Sequence, residues 1–186
     1  MRDDLALTAV RKLRLPPTTL PLPALSQAVT PVPPGELAAA LAWLGYPGFV
    51  HMRKAARPAN PAELVARAIA HRDLEPRLVE GLPWVLAKFH DLDWRWLIAQ
   101  CRVLDLQNRL GFLVTLADQL AKPSAAESLQ AALADLERSR LTTEGTLCRD
   151  SMSVVERNWM RQARSLYAAH WNLLTALTAD QLTHAT

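Results

Sequence analysis

His90 and Asp91 are adjacent in the chain. An imidazole beside a carboxylate can hold a divalent metal ion when another histidine precedes the pair and another acid follows it. His71 supplies the earlier ligand type and Asp105 or Asp118 the later one. A metal held this way between helices would activate water for attack on a phosphoester. The same residues have a plainer use. Asp91 is followed by Leu92-Asp93-Trp94, and an aspartate ahead of an apolar helical repeat caps the helix and complements the positive end of its dipole. The metal reading stands as an alternative on His71, His90 and Asp91, and no cofactor is expected.

Two arginine groups could bind phosphate: Arg53, Lys54 and Arg57 in one connector, and Arg157, Arg161 and Arg164 at helical spacing. Nucleic-acid binding needs cations gathered on one face, which the second group satisfies. Asp150 and Glu156 lie close by in sequence, however, and a charged stripe is most often a solvated helix face. His170 could serve as a pH switch, although a histidine on an apolar face is more commonly a hydrogen-bonded core residue. Gln107-Asn108-Arg109, at a helix start, could reach a ligand or tie helices together. Other signatures are missing: a phosphate-cradling glycine loop, a nucleophile elbow, a paired-cysteine zinc site and HExxH. With six glycines in all, few loops can approach a phosphate through bare backbone, and the sequence argues against an enzyme.

The most informative stretch is a long helix expected over Ser153 to Thr178, because it carries two non-polar faces. At 100° per residue Val155, Trp159, Leu166, His170, Leu173 and Leu177 fall on one stripe, the pattern of a core-facing helix. Along the flank of the arginine stripe run Met160, Arg164, Tyr167 and Trp171. A helix packed on one core needs only the first stripe. The second, mixing Met, Tyr and Trp with Arg, has the composition of a partner-binding surface.

The elements that must position these residues are helical. Residues 4–14 predict a short helix, and residues 15–34, with seven of the chain's thirteen prolines, an extended arm. Prolines there remove amide donors and bias their predecessors toward extended conformations. Leu20, Leu22, Leu25, Val29 and Val32 give the arm apolar surface to lay in a groove, its own or a partner's. From Gly35 the periodicity predicts seven helices. The first stops at Gly45-Tyr46-Pro47-Gly48. The second is opened by Asn60-Pro61 and ends near Leu74. The third is interrupted at Gly81 and Pro83. Asp91 or Asp93 caps the fourth, Asp105 the fifth, and capping boxes at Ser124 and Ser153 open the sixth and seventh. Trp94 joins the Leu97, Ile98, Cys101 stripe, and Trp96 points toward Leu82-Pro83-Trp84. Gly111 inside the fifth helix predicts close approach of a neighbouring backbone. The fold class is all-α: a compact domain of six or seven helices over residues 35–186, preceded by a short helix and proline-rich arm over 1–34.

Bulk properties agree. The 186 residues are 50% hydrophobic and 21% charged, a globular composition long enough for one sizeable core. A net charge of +3 permits an acidic partner without requiring one. Cys101, on an apolar face, reads as a buried thiol and predicts a reducing, cytoplasmic compartment. No run resembles a signal peptide or a membrane span.

The block Leu82-Pro83-Trp84-Val85-Leu86, Leu92-Asp93-Trp94-Arg95-Trp96-Leu97 and Leu106-Gln107-Asn108-Arg109-Leu110-Gly111-Phe112 resembles helical regions of the abortive-infection antitoxin and regulator group of bacterial proteins. The resemblance covers roughly residues 49–121 and rests on packing motifs. It implies a non-catalytic bacterial interaction protein, the antitoxin or regulator half of a two-protein module, that docks a protein partner or a second copy of itself. Such antitoxins begin with a winged-helix DNA-binding domain, where this chain has its proline-rich arm. The alternatives are a nucleic-acid-binding transcriptional regulator using the arginine stripe and, on the His90-Asp91 pattern, an HD-type metal-dependent phosphohydrolase.

Overall fold

A proline at the first helical position removes an N–H that has no partner inside the helix and presets φ for the turns that follow. Four of the α-helices among the described residues begin that way, at Pro34, Pro61, Pro76 and Pro123. The computed structural model describes Val10, residues 13–55 and residues 58–182, the side chains of 53–55 excepted. Among these residues are eight α-helices: α1 (Pro34–Leu44), α2 (Pro61–Ile69), α3 (Pro76–Lys88), α4 (Trp94–Val103), α5 (Gln107–Leu120), α6 (Pro123–Glu137), α7 (Val154–Ala163) and α8 (Leu166–His170). The fold is all-α, as expected. The short helix expected over residues 4–14 falls almost wholly outside the described residues.

Local chemistry accounts for most helix ends. Asn60 accepts a hydrogen bond from the Ala62 amide, and Asp93 one from Trp96. At Ser153 both halves of a capping box form, with Glu156 reaching back to the Ser153 amide. The α1 helix stops at Gly45, whose φ of +90° is left-handed and suits a residue without Cβ. Other expectations are corrected. Asp105 takes a left-handed conformation with φ +54° and leaves α5 without a side-chain cap, and α6 starts at Pro123 without the Ser124 box. Pro83 does not interrupt α3, which runs through it among the buried neighbours Leu82, Val85 and Leu86. The α2 helix ends at Ile69, earlier than Leu74.

The core is organised around α5, where Leu110, Phe112, Leu113, Val114 and Ala117 have no solvent contact. Helices α3 and α6 flank it, and α2 packs on α4. Two two-residue strands, β1 (Gly145–Thr146) and β2 (Leu173–Leu174), pair in parallel. That short ladder departs from the strand-free expectation. It ties the loop before α7 to the segment after α8.

The proline-rich arm lies on its own domain. Asn60 Nδ2 donates to the carbonyl oxygens of Thr18 and Leu20 (3.2 and 2.7 Å), and Trp96 Nε1 to that of Pro23 (2.8 Å). The buried Gln100 accepts from the Val29 amide and donates to the Gln27 carbonyl, both at 3.1 Å. Leu20 and Val29 are buried beneath these bonds. Beyond a single 3-10 turn at Pro17–Thr19 and the Gln27-to-Ala24 bond, the arm takes these partners from the Asn60 cap of α2 and from side chains of α4. Trp96 therefore points to the arm, in place of the expected Leu82-Pro83-Trp84 turn.

Candidate docking surface

The inner face of α7 is held by cations. Arg157 donates to the carbonyl oxygens of Met152 (3.2 Å) and Asp150 (2.9 Å). Arg161 forks onto Glu144, with Nε to Oε2 at 2.9 Å and Nη2 to Oε1 at 2.7 Å. Arg164 donates to the Leu173 carbonyl at 3.2 Å and stands 3.6 Å from Glu144. Hydrogen bonds from Arg161 hold the Glu144 carboxyl below the usual glutamate range. Partial burial opposes that shift, and the nearby arginine charges assist it. Beside these cations Met160 packs into a small apolar cluster with Met152 and Leu174. The arginine stripe is thus turned toward the chain's own carbonyls and carboxylates.

With the inner face so occupied, the apolar stripe of α7 faces outward. Val155 is 78% exposed, Trp159 61% and, just beyond the helix, Leu166 88%. Met160 is only 6% exposed and Trp171 only 2%. The expected faces are largely exchanged. Of the stripe predicted to line the core, Val155, Trp159, Leu166 and His170 are on the surface, while Leu173 is buried and Leu177 packs against the core. Half of the predicted partner-binding flank, Met160 and Trp171, is buried. Of Met160, Arg164, Tyr167 and Trp171, only Tyr167 remains an exposed residue, at 50%. The physical reason is a break. Arg164 is extended (φ −65°, ψ 148°), and Ser165 caps a new helix by accepting from the Ala168 amide. After His170 the chain turns through Asn172, left-handed at φ +50°, into β2. No single helix spans Ser153 to Thr178, so an angle counted across the break loses its meaning.

Trp171 is held by α5. Its ring fills the space that a Cβ at Gly111 would occupy, and its Nε1 donates to Thr115 Oγ1 at 2.9 Å. The close approach expected at Gly111 is real, but an indole makes it rather than a backbone. His170, expected in the core, is exposed and hydrogen-bonds Glu137 at 2.9 Å. Between α6 and α8 runs an open groove of about 580 Å³ walled by Leu133, Ala134, Leu166, Tyr167 and Trp171, with Glu137 and His170 at its edge.

Asn108, Arg109 and the cysteines prove to be structural residues. Asn108 exchanges two hydrogen bonds with the backbone of Leu141, at 3.0 and 2.8 Å. Arg109 donates to the carbonyl oxygens of Ile69 (2.8 Å), His71 (2.6 Å) and Thr146 (2.8 Å) and pairs with Asp150 at 2.9 Å. It closes the carboxyl end of α2 and anchors β1 at once, a role that spacing along the chain could not disclose. Cys101 and Cys148 are both buried free thiols, and burial pushes the Cys148 pKa up to about 11.

His71 Nε2 donates to the Val32 carbonyl at 2.9 Å, and Asp91 accepts from Thr18 Oγ1 at 2.8 Å. Both therefore serve the arm, and no bond joins them to His90. Among the described residues no group of three or more His, Cys, Asp or Glu is placed to hold a metal ion. Arg57 and the side chains of Arg53 and Lys54 lie outside the described residues. Among the described residues no helix is long and apolar enough to cross a membrane.

Comparison with protein-family models, curated proteins and solved structures finds no match for this chain.

Proposed function

We propose that this chain is a non-catalytic protein-interaction module that docks through the outer face of α7 and the Leu166-Tyr167 start of α8. One observation carries the reading: α7 turns Val155 and Trp159 to solvent while its charged side chains are all bonded within the chain, Arg157 to backbone, Arg161 to Glu144 and Glu156 to Arg149. A surface helix in a solitary domain ordinarily does the reverse. Contiguous exposed apolar residues centred on a tryptophan have the composition of an interface. On the resemblance of the central block, we further propose that the module is the antitoxin or regulator half of a bacterial two-protein defence system.

The test is a tagged chain expressed beside its native proteome and captured with and without nuclease, as wild type and as Trp159→Glu. The reading expects a stoichiometric protein, an untagged copy of the chain included, that survives nuclease and is lost in the variant. The variant's unfolding midpoint should stay within about 2 °C of wild type, because the side chain is largely solvated. Capture that is indifferent to Trp159→Glu, or that vanishes with nuclease, would overturn it.

A further inference from the structure

The apolar interior of this chain is not continuous. Leu74 and Val79 belong to the main core, whereas Met152, Met160 and Leu174 form a cluster of their own. A hollow of about 190 Å³ is walled by members of both, with Leu74 and Val79 from one cluster and Met152, Met160 and Leu174 from the other. Apolar walls that face a hollow instead of each other forgo the dispersion contacts of close packing, and a body of matching shape would restore them. Methionine, unbranched and polarisable, settles readily around such a body.

One acidic side chain on the same walls sets the chemistry. Glu80 of α3 lines the hollow, is half-buried, and has no hydrogen bond or ion pair among the described residues. The other described acids without either, Glu36, Glu75, Asp105, Glu127 and Asp180, are all exposed to water. The cations nearby are committed elsewhere. Arg77, one turn earlier on α3, donates to the Gly48 carbonyl at 3.3 Å, and Arg149, also on the walls, pairs with Glu156 at 2.9 Å. A carboxylate partly withdrawn from water without a counter-charge costs stability, and a bound cation offsets that cost. We propose that the hollow binds a small organic ammonium ion, its apolar body seated between the two clusters and its ammonium group donating to the Glu80 carboxylate. An anion would bring like charge against Glu80, and a neutral molecule would leave the carboxylate unpaired. As to size, a cavity of about 150 Å³ lined by apolar side chains takes up benzene, so the body is about one ring. The inference does not rest on the docking reading, whose residues Val155, Trp159, Leu166 and Tyr167 are not on these walls.

The test is calorimetric titration of the full chain with phenethylamine and with phenethyl alcohol, its neutral near-isostere, joined to methionine-methyl NMR spectra. Phenethylamine should bind one-to-one with a Kd of about 1 mM or tighter, as a single ring with one charged contact warrants. It should also move the methyl signals of Met152 and Met160. The alcohol on wild type, and the amine on Glu80→Gln, should each bind about ten-fold or more weakly, the loss of one charge-assisted hydrogen bond. Glu80→Gln should unfold at or above the wild-type midpoint, because it removes a charge that has no partner to lose. A lower midpoint would show that Glu80 is already paired within the chain and would overturn the inference. So would an amine that does not saturate, an alcohol that binds as tightly, binding unchanged in Glu80→Gln, or Met152 and Met160 methyls that stay still.

Discussion

At the scale of single residues, the pairing of Gly111 with Trp171 decides where the end of the chain sits. The indole occupies the space beside a helix position that has no side chain, and its N–H is satisfied by Thr115. Trp171→Ala should cost about 3–5 kcal/mol, the usual loss for truncating a buried aromatic. Gly111→Ala should also destabilise, by about 1–3 kcal/mol, even though alanine is the better helix former, because the added methyl meets a rigid ring. Chemical denaturation of the two single variants and the double variant checks both. The expected double-mutant cycle is strongly non-additive, since Gly111→Ala has nothing to strike once the ring is gone. Independent losses that simply add would mean that the two positions do not share this space. The glycine was legible in the sequence as a site of close approach. Its partner was not, because the residues lie sixty positions apart and no local rule joins them.

Among the elements, α7 is held by salt bridges and hydrogen bonds more than by apolar burial, for Met160 is its one buried residue. That makes its docking sensitive to acid. The Glu144 carboxyl is held below its ordinary value of 4.5, chiefly by the Arg161 hydrogen bonds. A carboxyl whose pKa is lower folded than unfolded gives its full stabilisation above the unfolded value and loses it as pH falls through the folded one. Stability measured from pH 7 downward should therefore hold until about pH 4.5 and decline below it. In Glu144→Gln the part of that decline due to this group should be absent, with a lower plateau at neutral pH. Identical acid profiles in the two proteins would remove Glu144 from the account. This scale also shows what sequence could disclose about the surface. The Ser153 cap is a property of four consecutive residues and was readable. Which side of α7 faces inward depends on Glu144 and on the carbonyl oxygens of Asp150 and Met152, all outside the helix. Periodicity therefore placed the apolar residues of α7 on one stripe but assigned that stripe to the wrong side.

For the molecule as a whole, the arm is the long-range connector. It is held by Asn60, Trp96 and Gln100, residues 40 to 73 positions downstream of the backbone groups they bond. Gln100 is the most exacting of these. Gln100→Met keeps the shape but leaves the buried Val29 amide without an acceptor, at a cost of about 1–3 kcal/mol. Limited proteolysis should then cut between residues 15 and 34 faster than in wild type while the helical domain stays intact. An unchanged cutting rate would mean that the arm is held without that bond. The arm's extended form and apolar residues were legible from prolines and composition, but the identity of its groove was not, for no periodic signal relates residue 29 to residue 100. The same separation has a consequence during synthesis. The segment that needs Gln100 is made 71 residues before it, so at about 5–20 residues per second the nascent arm waits roughly 4–14 s with its leucines and valines uncovered. A waiting apolar strand would ordinarily invite aggregation at the ribosome. This one is interrupted by prolines, which cannot donate to a growing sheet, and the residues that keep most of the arm extended also guard it until its groove exists.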